Sequence, residues 1–353
     1  MKGWKTTLAV VIAVAILAAG GAGYIRYRDA RTPPEIVLWY SDQPDFGQAG
    51  LTQNQINILG NVYDPDGVTS LYYRFNSGPE TFLSIGPDLR RLEDQGDFNI
   101  DLPVDELISG ENQITLFAWD GAGNKSEKDF LFQFRPQKIG LPLEIDWAKV
   151  KNIKDVSSVI DGEWKVIGEG LQTSKFGYDR LIALGDLEYQ NFDVVMRFRV
   201  DEVNPDGWDY PSGSPGVGLI LRWQGHSDFP KAGWQPKSGW LPMGAITWIR
   251  WAEDLEGPSY QILEGNNGSV LVSKKMDKEP IIGVWYTMHA QVESLETGDS
   301  IYRMNVWKDE EDEPVGWMLE GQFPSVSSGS IGILAHEVMI TVSETFVYPL
   351  TAR

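Results

Sequence analysis

Apolar positions recur with a period of two along much of this chain, which is the mark of strands that bury one face. Between 193 and 200, Val194, Met196, Phe198 and Val200 point one way, with Arg197 and Arg199 opposite. From 284 to 293, Val284, Tyr286, Met288, Ala290 and Val292 alternate with Trp285, Thr287, His289 and Gln291. From 302 to 307, Tyr302, Met304 and Val306 alternate with Arg303, Asn305 and Trp307, and the intervening Thr297-Gly298-Asp299 predicts a hairpin. Once paired, these two strands share a face carrying Trp285, His289, Gln291, Arg303, Asn305 and Trp307. Two more apolar runs, 217–223 and 245–251, predict strands around a loop rich in Gly, Pro and Ser. Trp208, Tyr210, Trp234 and Trp240 lie in or just before that loop. Such a density of tryptophan predicts that some line a recognition surface, against the alternative that all anchor the loop to its own sheet.

The first third reads similarly. Short alternating runs at 36–40, 55–63, 69–75, 81–85, 112–119 and 129–135 are separated by Asp64-Pro65-Asp66-Gly67, Ser77-Gly78-Pro79 and Asp120-Gly121-Ala122-Gly123-Asn124. In 112–119, Ile114, Leu116 and Ala118 share one face, as a half-buried sandwich strand requires. Pro-containing connectors at 31–35 and 136–142 divide the chain into 1–30, 35–136 and 141–353. The segment 8–25 is different in kind, eighteen residues without a charge, at the lower limit of a bilayer span. It is expected to be an uncleaved signal anchor, with a cleaved signal peptide as the alternative. Basic residues flank both of its ends, so charge does not fix orientation. The body is placed outside because its content is of extracytoplasmic type.

Charge and composition narrow the function. The net charge is -20, and the first thirty residues carry +3 (Lys2, Lys5, Arg26 and Arg28 against Asp29), so the body carries -23. A body so acidic repels phosphate backbones, which argues against nucleic acid as a partner. There is no cysteine, which removes disulfides, thiolate metal sites and a Cys nucleophile.

The shared face of 284–293 and 302–307 mixes flat aromatics with planar hydrogen-bonding groups, which suits a sugar ring; the alternative is an ordinary solvated face. Trp248 and Arg250, from the Trp-rich stretch, join the candidate carbohydrate-binding set. Asp64, Asp66, Asp120 and Asn124 are candidate calcium ligands, although Asp and Asn are also ordinary turn residues. The acidic run 309–313 is read as a solvated loop, with calcium as the lesser alternative. His226, His289 and His336 lie too far apart for a zinc spacing. No nucleophile elbow or phosphate loop is found.

Two resemblances follow. The pairing of Gly60-Asn61-Val62-Tyr63-Asp64 with Ala118-Trp119-Asp120-Gly121-Ala122-Gly123-Asn124 resembles bacterial and archaeal immunoglobulin-like surface modules. That implies a spacer or adhesion role for 35–136. The remainder resembles concanavalin A-like lectin/glucanase jelly rolls of the laminin G-like and keto-disaccharide-hydrolase-like branch. The matching pieces are Asp161-Gly162-Glu163-Trp164, Gly283-Val284-Trp285-Tyr286 leading to Tyr302 through Trp307 and Trp317, and the closing 329–336. Glucanases of that superfamily use a Glu-x-Asp-x-Glu run, and Glu144-Ile145-Asp146-Trp147 lacks the second Glu. Enzyme activity is accordingly left open and not favoured. The sequence thus predicts an all-β chain: a transmembrane helix, an immunoglobulin-like sandwich and a jelly roll. Its expected role is a membrane-anchored, extracytoplasmic, carbohydrate-binding surface protein whose partners are a polysaccharide or glycoconjugate and the bilayer. Calcium is the one cofactor entertained. The alternatives are a glycoside-processing enzyme and a structural surface protein.

Overall fold

The computed structural model describes residues 31–40, 45–208, 213–229, 232–251 and 257–350. Among these, regular structure is β apart from three single-turn 3-10 helices. The segment 8–25 lies outside the described residues, and among the described ones no helix is long and apolar enough to cross a membrane.

The first eight strands are β1 (Glu35–Leu38), β2 (Asp45–Phe46), β3 (Gln55–Tyr63), β4 (Val68–Phe75), β5 (Glu80–Leu83), β6 (Asp97–Pro103), β7 (Gly110–Asp120) and β8 (Lys125–Phe134). They form the sheets β1-β3-β6 and β2-β8-β7-β4-β5, packed on a core that includes Ile58, Leu71, Phe98, Leu116 and Phe132.

The strands that follow are β9 (Leu143–Asp146), β10 (Ser158–Asp161), β11 (Trp164–Ile167), β12 (Gly170–Thr173), β13 (Arg180–Leu184), β14 (Phe192–Val203), β15 (Gly216–Trp223) and β16 (Ala245–Arg250). After them come β17 (Ser259–Glu264), β18 (Val270–Lys275), β19 (Trp285–Ser294), β20 (Asp299–Lys308), β21 (Leu319–Pro324), β22 (Ser330–His336) and β23 (Val338–Pro349). A seven-stranded sheet, β10-β13-β22-β15-β16-β17-β18, faces an eight-stranded one, β11-β12-β23-β14-β19-β20-β21, in which β9 pairs with β23. The alternation read from the sequence is what holds them together. Phe192, Val194, Met196, Phe198 and Val200 of β14 are all fully buried between the sheets. Each such side chain contributes roughly 1.5–3 kcal/mol.

The two sandwiches are not separated by a free spacer. Ile56, Ile58 and Val62 of β3 and Phe98, Ile100 and Leu102 of β6 fill the first core, which turns the polar residues of these strands outward. That outward face is buried against the second sandwich. Asn99 donates to the Ile160 carbonyl at 2.8 Å, and Arg91 bridges Asp101 (2.7 Å) and Asp161 (2.5 Å). Asp161 also meets His226 Nε2 at 2.7 Å. Burial alone would raise the Asp161 pKa, but Arg91 and His226 outweigh it and hold it at about 2.

Candidate ligand-binding cleft

Room for a ligand lies on the outer face of the seven-stranded sheet. Antiparallel register sets Leu181, Leu334, Gly218, Trp248 and Gln261 side by side across five strands. Gly216 and Gly218 decide how Trp248 sits. A Cβ on Gly218 would stand 2.4 Å from Cβ of Trp248, and one on Gly216 would stand 3.0 Å from Cε3 of its indole. Bare backbone at both positions therefore lets the indole lie down on β15. Its Nε1 donates to Gln261 Oε1 at 3.1 Å, and the Arg250 guanidinium lies 4.3 Å from the ring centroid. Such cation–π contacts contribute about 0.5–2 kcal/mol.

One row further along, Arg180 pairs with Ala335, so the residues just beyond them, Asp179 and His336, meet. Asp179 Oδ1 is 2.8 Å from His336 Nδ1, and the Tyr178 ring packs edge-on to the imidazole with centroids 4.8 Å apart. Burial raises the Asp179 pKa, against the opposing pull of His336.

Residues 224–229 and 232–244 fold back over this face as a roof. Trp240 packs against Trp223 and His226, with centroids 5.2 and 4.8 Å away. Trp223, Met243, Ile246, Trp248 and Leu334 join a small apolar cluster of their own beneath the roof. Between roof and sheet lies a cleft of about 330 Å³, with Trp248, Arg250 and His336 on the floor and Phe229, Ser238 and Trp240 on the roof. Phe229 lines it while remaining 71% exposed. Of the tryptophans in this stretch, Trp223, Trp248 and Trp251 are buried, Trp208 is partly buried against the core and Trp234 is exposed.

The residues predicted from sequence thus divide between two faces. Trp248 and Arg250 line the cleft, whereas Trp285, His289, Gln291, Arg303, Asn305 and Trp307 lie together on the outer face of the eight-stranded sheet. There they are engaged by neighbouring protein groups. Trp285 is covered by Arg197 and Arg199, at 4.3 and 4.8 Å from its ring centroid. His289 lies between Asp193 (3.0 Å) and Glu313 (2.6 Å) and packs on Trp317. Gln291 donates to Asp193 and accepts from Arg303, which also pairs with Glu293 and Glu320. Asn305 is buried, donating to Glu313 and the Gly316 carbonyl and accepting from the Met318 amide. Trp307 is half-buried opposite Thr287. The acidic run 309–313 is not purely a solvated loop, since Asp309 pairs with Arg197 and Glu313 with His289.

The calcium candidates hold their own turns. Asp64 Oδ1 accepts from the Asp66 amide, and Asp120 accepts from the amides of Ala122 and Asn124 and from the Asn124 side chain. Among the described residues no group of three or more His, Asp or Glu is placed to hold a metal ion. Tyr178, Asp179, Phe229 and His336 are absent from the set drawn from sequence. Only His336 carried a local signal, as the end of a closing apolar strand.

No protein-family model matches the chain, and no curated protein matches it. Among solved structures it is similar to the carbohydrate-binding module CBM66 from Bacillus subtilis (11% identity, 54% of this chain and 94% of that one, TM-score 0.35). It is also similar to the VIP36 exoplasmic/lumenal domain in its Ca2+/Man2-bound form (10% identity, 60% and 88%, TM-score 0.40). A third is a xylan beta-1,4-xylosidase from Bacillus halodurans (9% identity, 91% and 66%, TM-score 0.37). What the cleft of this chain holds is read from its own residues.

Proposed function

We propose that this chain is a carbohydrate-binding surface protein whose glycan lies in the cleft lined by Phe229 and residues 238–241 on one side and the seven-stranded sheet on the other. The observation that carries this is the cleft itself, with Phe229 exposed across it from Arg250, Tyr178 and His336, over a floor built on the buried Trp248. A sugar ring offers C–H faces to the exposed phenyl of Phe229 and hydroxyls to guanidinium, imidazole and phenol. Asp179 is the carboxylate among the described lining residues, and it is engaged by His336. The second sandwich serves as a concanavalin A-like jelly roll and the first as an immunoglobulin-like module. Residues 8–25 anchor both to a membrane with the body outside, and bound calcium is a condition of the test below.

The test is binding of the chain from Arg31 to Arg353 to a polysaccharide panel, with and without calcium, with released reducing ends assayed in the same mixtures. Binding without release that is weakened by Phe229→Ala and retained by Trp285→Ala and Trp307→Ala supports the proposal. The reverse pattern moves the glycan to the eight-stranded face, and release makes the chain an enzyme. For the anchor, partition of the full chain and of a variant lacking residues 1–30 between membrane and soluble fractions decides.

A further inference from the structure

We propose that the first sandwich is a working part of the cleft, fixing the roof over the floor, and not a spacer; this rests on the glycan reading above. The grip is made by β6 and the loop before it. The Asp101 backbone amide donates to Gln235 Oε1 at 2.9 Å, and Gln235 Nε2 donates back to the Asp101 carbonyl at 3.0 Å. The Lys237 amide donates to Asp101 Oδ2 at 2.7 Å, Arg91 Nη1 donates to the Lys237 carbonyl at 2.6 Å, and the Ser84 amide donates to the Gln235 carbonyl at 2.9 Å. Segment 235–237 is therefore bonded to the first sandwich, and the next three residues, Ser238, Gly239 and Trp240, line the cleft.

The other leg of the roof is held the same way. Gln55 of β3 donates to the His226 carbonyl at 3.1 Å, the Asn54 amide donates to the Gln224 carbonyl at 3.0 Å, and the imidazole of His226 reaches Asp161 within the interface. Ser227 and Gly239 exchange backbone hydrogen bonds of 2.8 and 3.0 Å, closing the two legs on each other. The described residues of this roof, rich in Gly and Pro, have little regular structure of their own to resist opening. Fixing each residue costs about 1–2 kcal/mol in backbone entropy. The bonds from the first sandwich offset that cost. Apparent affinity scales with the fraction of molecules whose site is formed, so loosening the roof weakens binding with no ligand contact removed.

Gln235 is the residue to change, because it does not line the cleft and stands apart from the Arg91–Asp161 ion pair. In the full chain, Gln235→Ala is expected to speed amide hydrogen exchange across 226–240 without ligand. It should weaken binding of the polysaccharide that the wild type binds by about tenfold, while the global unfolding midpoint falls less than it does in Asp161→Ala. Unchanged roof exchange overturns the proposal, and so does faster exchange with unchanged affinity. If the wild type binds no member of the panel, the glycan reading fails by itself, and roof exchange still decides whether the first sandwich holds the roof.

Discussion

The two outer faces of the second sandwich carry similar residue types in different settings. On the eight-stranded face, Trp285, His289, Gln291 and Arg303 stand next to complementary groups one strand away, so cross-strand pairing engages them: Arg199 opposite Trp285, Asp193 opposite Gln291, Arg303 opposite Gln291. On the seven-stranded face, Trp248 stands opposite Gly218, and Arg250 opposite Gly216. Glycine offers no side chain to pair with, so the indole lies on bare backbone with the guanidinium over it, while Gln261 on the next strand accepts from its Nε1 and Ser214 accepts from Arg250. On both faces the aromatic and planar polar residues find partners; the seven-stranded face differs in having bare backbone at the facing positions, beside which the cleft opens.

The sharpest way to break this contrast is to remove a carboxylate from each side. Behind the cleft, Asp161 is fully buried between Arg91 and His226, and Asp161→Ala leaves both without their shared partner. Deleting one partner of such a buried pair costs about 3–5 kcal/mol. On the opposite face, Asp193 is partly exposed, and Asp193→Ala should cost below about 1 kcal/mol. Urea unfolding of the two variants measures the difference, and similar losses would mean that the eight-stranded face is as integral to the fold as the domain interface.

Next in size is Gly218→Ala. Its new Cβ meets the Thr247 carbonyl oxygen and Cβ of Trp248, both closer than real Cβ contacts come, so β15, β16 or the indole must shift. Overpacking of this kind costs about 1–3 kcal/mol. Because the shift is at Trp248, affinity should fall together with stability, read by glycan titration beside urea unfolding. Smaller and cleaner is Phe229→Ala. The ring is exposed, so stability should hold while binding weakens by about tenfold, the worth of one aromatic contact. Trp285→Ala on the other face should leave binding unchanged.

Much of the architecture was legible because most strands bury one face, and burial writes a period of two. β14, β19, β20 and the hairpin between the last two are where the pattern puts them. β6 was missed although Phe98, Ile100 and Leu102 alternate in it. Asp97, Asn99 and Asp101 fill its other face, and such residues signal a turn wherever water is assumed to surround them. Here they face a second sandwich, and nothing local to β6 announces one. The cleft was half legible for a similar reason. Trp248 and Arg250 stood out as a dense local cluster, but Asp179 and His336 are brought together only by the register of β13 on β22. Phe229 lies in a segment whose proline argues against a strand, and its exposure is a property of how the roof folds back.

The smallest expected effect is electrostatic and belongs to the eight-stranded face alone. Burial opposes charge on His289, but hydrogen bonds to Asp193 and Glu313 outweigh it and raise its pKa above the ordinary 6.5. A histidine whose folded pKa is raised binds its proton more tightly folded than unfolded. Its contribution is fully present below the unfolded value and is lost as pH rises through the folded one. Stability should therefore decline on the alkaline side of 6.5, and His289→Gln should remove that part of the slope. Urea midpoints followed across this range for both chains measure it, and an identical slope in the variant would show that Asp193 and Glu313 do not clamp a charged imidazole. The imidazole would then be neutral in the folded protein and donate to one of the two carboxylates, not both, and the contrast with the cleft would lose one of its supports.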